Sequence, residues 1–185
     1  MNKKFTSLMA VGALLTGLAA CGRAVADDAP VVEENVAHEN GAEDVVTSAT
    51  VTNDARLFHE NFGAGGHWIG AATDNLTWDE DFIIEGDFFD KDTEANGHRR
   101  KLALYTQDDA HVVQDRFSLT APRLIVRSPN TVVAKGTVIG DIYVEANGFE
   151  LDDATVEGNI IFASQEYHDS ANLDSGHVNG DISVE

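Results

Sequence analysis

TVIGDIYV at Thr137–Val144, TVEGNIIF at Thr155–Phe162 and HVNGDISV at His177–Val184 are three writings of one phrase. Each runs Val, any residue, Gly, Asp or Asn, Ile, any residue, then Val or Phe, and the glycines Gly140, Gly158 and Gly180 lie 18 and 22 residues apart. Self-similarity at such a period marks stacked repeats. Read as strand, glycine corner and strand, the phrase predicts an all-β fold. The expected form is a short single-stranded β-helix (β-solenoid) of about five to six coils, with an N-terminal capping helix.

Alternation along a strand sorts the phrase into columns. Val138, Val156 and Val178 make one inward column, Ile142, Ile160 and Ile182 a second, and Val144, Phe162 and Val184 a third. All are β-branched or aromatic, which suits a packed strand interior. After each glycine comes Asp141, Asn159 or Asp181. These residues hydrogen-bond their own turns. Strands stack about 4.8 Å apart, so the same three side chains also form an oxygen column of the kind that holds Ca²⁺. Turn chemistry is the plainer reading, with no cofactor required.

The chain begins MNKKFTSLMAVGALLTGLAAC, Met1 to Cys21. Lys3 and Lys4 precede an apolar stretch from Leu8 to Leu18, which is too short to span a bilayer and reads as a secretory signal. Leu18-Ala19-Ala20-Cys21 resembles the bacterial lipobox, and Cys21 is the one cysteine of the chain. The resemblance implies cleavage before Cys21 and diacylglycerol on its sulfur. Acyl chains on Cys21 would then hold the protein to the cell membrane on its extracytoplasmic face. With that cysteine committed, no disulfide, zinc cluster or thiol nucleophile is expected.

Residues 22–48 lack an apolar period and carry Asp27, Asp28, Glu33, Glu34, Glu39, Glu43 and Asp44 against Arg23 alone. Such a segment cannot bury enough surface to order itself; an acidic tether is expected between the signal at 1–21 and a β domain at 49–185. The formal net charge of −20 excludes nucleic acid as a partner and a basic patch on anionic lipid.

Within 49–185, Asp54 to Phe62 predicts a short helix with Leu57, Phe58 and Phe62 inward, ended by Gly63, Gly65 and Gly66. Strands are expected at 67–71, 76–78, 82–89, 101–106, 111–114, 117–121, 124–127 and 131–134. The run IIEGDFF places Gly86 54 residues before Gly140, a looser fourth copy three periods away, with Leu104 and Leu124 at the intermediate steps. Loops are expected at 90–98 and 165–176. From Arg100 to Tyr167 the stretches RKLALYTQDDAHV, FSLTAPRLIVRSPNT and GDIYVEANGFELDDATVEGNIIFAS resemble uncharacterised Gram-positive-type envelope lipoproteins. The V-x-G-[DN]-I phrases are similar to those of bactofilins, which implies a polymer-forming β-helix. Bactofilins are usually cytoplasmic, and the export signal departs from that pattern.

Candidate sites are few. DKDTEANG at Asp90–Gly97 imitates a calcium loop but has Ala95 and Lys101 where an EF-hand needs Gly and Glu. The seven histidines lack metal-binding spacings; His59 and Glu60 near His67 and Trp68 come closest. Asp79/Asp81 and Asp152/Asp153 are carboxylate pairs of a kind used in sugar chemistry, yet few coils and short loops argue against an enzyme. Arg99, Arg100, Lys101, Arg123 and Arg127 form a candidate anion-binding face for an envelope polymer. The last copy ends at Val184, so Ile182 and Val184 lie on an edge that is either protected by nearby polar groups or a self-association surface. The expectation is a lipid-anchored envelope protein with a structural or interaction role, self-assembly included. A cation- or glycan-binding module is the alternative.

Overall fold

The Asp54 side chain accepts hydrogen bonds from the Arg56 and Leu57 amides at 2.9 and 3.1 Å and starts helix α1, Ala55–Asn61. This is the expected capped helix. The computed structural model describes residues 49–185; the signal with Cys21 and the acidic tether lie outside the described residues. On α1, Phe58 lies on the same face as Phe62, one turn on, and both are fully buried. Leu57, expected inward, projects about a quarter turn away and is 42% exposed.

The strands in chain order are β1 (Ala49–Thr52), β2 (Ile69–Ala72), β3 (Leu76–Thr77), β4 (Phe82–Ile84) and β5 (Arg100–Ala103). Next come β6 (Tyr105–Gln107), β7 (Val113–Arg116), β8 (Ser118–Val126), β9 (Thr131–Ala134) and β10 (Thr137–Val144). The series closes with β11 (Glu150–Asp152), β12 (Thr155–Val156), β13 (Ile160–Phe162), β14 (His177–Val178) and β15 (Ile182–Val184). A second helix, α2 (Gln165–Asp169), lies where a loop was expected; the Ser164 hydroxyl caps it by accepting the Tyr167 amide.

The expected single β-helix of five to six coils is not what forms. The strands divide into several sheets: a five-stranded parallel sheet β1-β2-β5-β9-β11, an eight-stranded parallel sheet around β8 and β10, and the hairpin β6-β7. Two features explain the correction. The repeat glycine does not turn the chain: β10 runs through Gly140 with only a register irregularity between Ile139 and Asp141, so strand, glycine and strand stay within one sheet. Antiparallel β6-β7 also interrupts the parallel order, its turn held by the Asp108 carboxylate, which accepts the Ala110 and Val112 amides.

Within the eight-stranded sheet the three copies pair in the register read from the phrase. Val138 lies against Val156 and Val156 against Val178; Ile142 faces Ile160 and Ile160 faces Ile182; Val144 faces Phe162 and Phe162 faces Val184. On β10, β12 and β13 these residues are buried to within 1%. The glycines permit close backbone approach. A Cβ at Gly158 would stand 2.3 Å from the Gly140 carbonyl oxygen, and Gly140 itself has φ 138° with the Ala121 carbonyl beneath it. Only glycine meets both demands.

The fourth copy falls in a different frame from that expected. Phe82 pairs with Leu124 and Ile84 with Val126, while Leu124 pairs with Ile142. Thus DFIIE (81–85) aligns with DIYVE (141–145), and Gly86 stands beyond the strand with φ 96°. Residues 90–98 close on themselves through two short 3-10 turns and a Phe89–His98 bridge.

Candidate functional site

The Asp/Asn column is knitted together by its own hydrogen bonds. Asp141 Oδ1 accepts the Asn159 amide at 2.8 Å and the Asn159 side-chain nitrogen at 3.0 Å. Asn159 Oδ1 accepts the Asp181 amide at 2.9 Å. Asp141 and Asn159 thus each supply an acceptor to the backbone amide of the next copy. Among the described residues, no group of three or more His, Cys, Asp or Glu is placed to hold a metal ion.

The five residues of the candidate anion-binding face are dispersed. Arg99 pairs with Glu150 at 3.6 Å, Lys101 donates to the Tyr105 hydroxyl at 3.0 Å, Arg123 pairs with Asp81 and Arg127 with Glu145 at 2.6 Å. Asp81 and Glu145 keep Arg123 and Arg127 above the ordinary arginine range, each first through a side-chain hydrogen bond. Arg116 and Lys135 pair likewise with Asp153 and Asp152, and the Arg116 hydrogen bond holds Asp153 below the ordinary carboxylate range. Of the carboxylate pairs considered for sugar chemistry, Asp81, Asp152 and Asp153 are therefore tied to cations.

Arg100 is fully buried. Its place in β5 beside exposed Arg99 conceals this in the sequence; alternation sends it to the same side as buried Leu102. One terminal nitrogen donates to the Asn61 and Gly63 carbonyls at 2.6 and 3.1 Å, and the guanidinium lies 3.6 Å over the Phe88 ring. Burial pushes its pKa down to about 10. It thus caps the carbonyl end of α1, where a cation is favoured by the helix dipole. Arg100 Nε and Nη1 and Asn61 Nδ2 have no hydrogen-bond partner among the described residues.

An open groove of about 380 Å³ is lined by Ala55, Thr77, Trp78, Asp79 and Glu80. The Trp78 indole stacks on His59, ring centres 4.3 Å apart and 17° from parallel, and His59 meets Phe82 edge-on at 4.9 Å. Burial depresses the His59 pKa below its ordinary value, while Glu60, Glu80 and Glu85 work in the opposite direction. The Trp78 Nε1 and His59 Nε2 atoms are buried and have no hydrogen-bond partner among the described residues. An aromatic face beside two carboxylates can stack on a sugar ring or hold an amine. The sequence placed His59 with His67 and Trp68; the fold pairs it instead with Trp78, nineteen residues along, a contact between α1 and the residue just after β3 that no spacing rule foretells.

The outer strand β15 leaves Ile182 46% and Val184 36% exposed, although both continue columns that are fully buried one strand earlier. The Tyr143 hydroxyl reaches across to the Glu185 carboxylate at 2.7 Å. Among the described residues β15 pairs with β13 alone, so alternate backbone groups of β15 face away from the sheet.

No family model matches the chain, and no curated protein or solved structure matches it.

Proposed function

We propose that the protein is a lipid-anchored component of the cell envelope with a structural or interaction role and no catalysis. The anchor rests on the single cysteine, Cys21, at the end of the lipobox-like Leu18-Ala19-Ala20-Cys21. The observation that carries the interaction role is the outer strand β15, where two apolar columns of a regular parallel sheet reach solvent at Ile182 and Val184. Regular edges with apolar side chains are surfaces on which another strand pairs. Metabolic labelling with a radioactive fatty acid tests the anchor. Label on the wild-type chain, lost in Cys21→Ala together with membrane fractionation, is expected; an unlabelled wild-type chain overturns it.

A second reading is a glycan- or cation-binding module, favoured by the groove of Trp78, Asp79 and Glu80. Its signature is a saturable change in tryptophan fluorescence on adding envelope glycan fragments, abolished in Trp78→Ala.

A further inference from the structure

Five strands of the eight-stranded sheet carry a charge pattern at two outward columns. In spatial order they read DFIIE (81–85), RLIVR (123–127), DIYVE (141–145), NIIFA (159–163) and DISVE (181–185). The first column is therefore Asp81, Arg123, Asp141, Asn159, Asp181, and the second Glu85, Arg127, Glu145, Ala163, Glu185. Acidic strands never adjoin: a basic strand separates the first two and a neutral one the last two. The basic strand is matched on both sides. Arg123 binds Asp81 and lies in register with Asp141, while Arg127 binds Glu145 and donates its amide to the Ile84 carbonyl at 2.8 Å, one residue from Glu85.

The outer strand repeats the acidic pattern without a basic neighbour. Asp181 has no ion pair among the described residues, and Glu185 is held by a hydroxyl. Between them Ile182 and Val184 stand in the columns that Leu124 and Val126 fill on the basic strand.

We propose that β15 is a docking edge for an extended segment of another polypeptide with two basic residues four positions apart. Apolar residues would occupy the second and fourth positions, as in RLIVR. Added parallel to β15, such a segment sets its cations beside Asp181 and Glu185 and covers Ile182 and Val184. A second copy does not fit. Its own RLIVR lies inside the sheet between β4 and β10, and its outer strands DFIIE and DISVE would set acid against acid. Residues 22–48 have the wrong charge, with Arg23 their one basic residue. The inference names the partner for the interaction role proposed above and rests on that reading.

The test uses the full chain in nonionic detergent and three fluorescent peptides, each flanked by serines: RLIVR, its acidic counterpart DLIVD, and RLIRV. In RLIRV the arginines are three apart and so point to opposite faces of a strand, which separates register from the general attraction of an acidic protein for cations. RLIVR is expected to bind about tenfold more tightly than DLIVD, in keeping with two surface ion pairs gained and two repulsions avoided, and about threefold more tightly than RLIRV, which keeps only its first arginine in register. The preference should fade with added salt. The double variant Asp181→Arg/Glu185→Arg, whose changes sit on exposed side chains and whose fold is checked by circular dichroism, should reverse it toward DLIVD. Equal binding of RLIVR and RLIRV, an unchanged preference in the double variant, or no binding at all overturns the proposal. A wild-type dimer whose formation depends on Asp181 and Glu185 overturns it in favour of a second copy. The fatty-acid labelling of Cys21 reads the envelope assignment independently of all these outcomes.

Discussion

Strands β4 and β15, at opposite edges of the eight-stranded sheet, carry the same columns and meet opposite fates. On β4, Phe82 and Ile84 are fully buried; on β15, Ile182 and Val184 are 46% and 36% exposed. The difference lies in what packs beyond the strand. At β4 the helix α1 brings Phe58 and Phe62 to within 5.9 and 5.8 Å of the Phe82 ring, and Arg100 ties the end of that helix to β5. Nothing comparable covers β15 among the described residues. Side-chain alternation decides which face a residue occupies, and the neighbour beyond the last strand decides whether that face is dry.

The largest test of this contrast removes the aromatic cover. Phe58→Ala is expected to cost about 3–5 kcal/mol, whereas Ile182→Ala should cost about 1 kcal/mol or less, as for exposed positions. Both are read as shifts in the denaturation midpoint at constant slope; equal losses would abolish the contrast.

Next in size is the glycine bend near the open edge. Gly158→Ala drives a Cβ against the Gly140 carbonyl and should cost about 1–3 kcal/mol. Gly65→Ala, with nothing within 4 Å of the added carbon, serves as the control and should stay near wild type.

The hydrogen-bonded column gives a smaller effect. Asn159→Asp exchanges the amide that donates to Asp141 for a second carboxylate, a like-charge contact costing about 0.2–1 kcal/mol at neutral pH. The loss should shrink as added salt screens the two charges. An undiminished loss at high salt would mean that geometry rather than charge is responsible.

The smallest effect belongs to the buried end. The folded-state pKa of His59 lies below its ordinary 6.5, so the unfolded chain binds the proton more readily between those two values. Stability therefore rises with pH through that window and falls as pH drops below about 6.5. His59→Phe keeps a ring against Trp78 and should flatten the melting temperature between pH 7 and pH 5. An unchanged slope would remove His59 from the acid response.

Legibility followed the same divide. The repeat region was readable because strand pairing converts sequence spacing directly into spatial register: Val138, Ile142 and Val144 found their partners where the phrase put them. The helix start at Asp54 was readable because capping is local. What misled was the glycine, read as a corner. The bend at Gly140 is absorbed as an irregularity in one long strand, and separate sheets form in place of one β-helix.

By itself, then, the sequence determined local and periodic things: a cysteine in a lipobox-like setting, an acidic balance, a capped helix and three repeat copies in register. The tertiary structure alone decided the rest. It buried Arg100 while leaving Arg99 outside, stacked His59 on Trp78, drew Asp81 to Arg123 across 42 residues, and set RLIVR between two acidic strands. Each of these depends on which segments the fold brings side by side. A pairwise contact between distant segments leaves no periodic trace along the chain, because either partner alone looks like an ordinary surface charge or core ring.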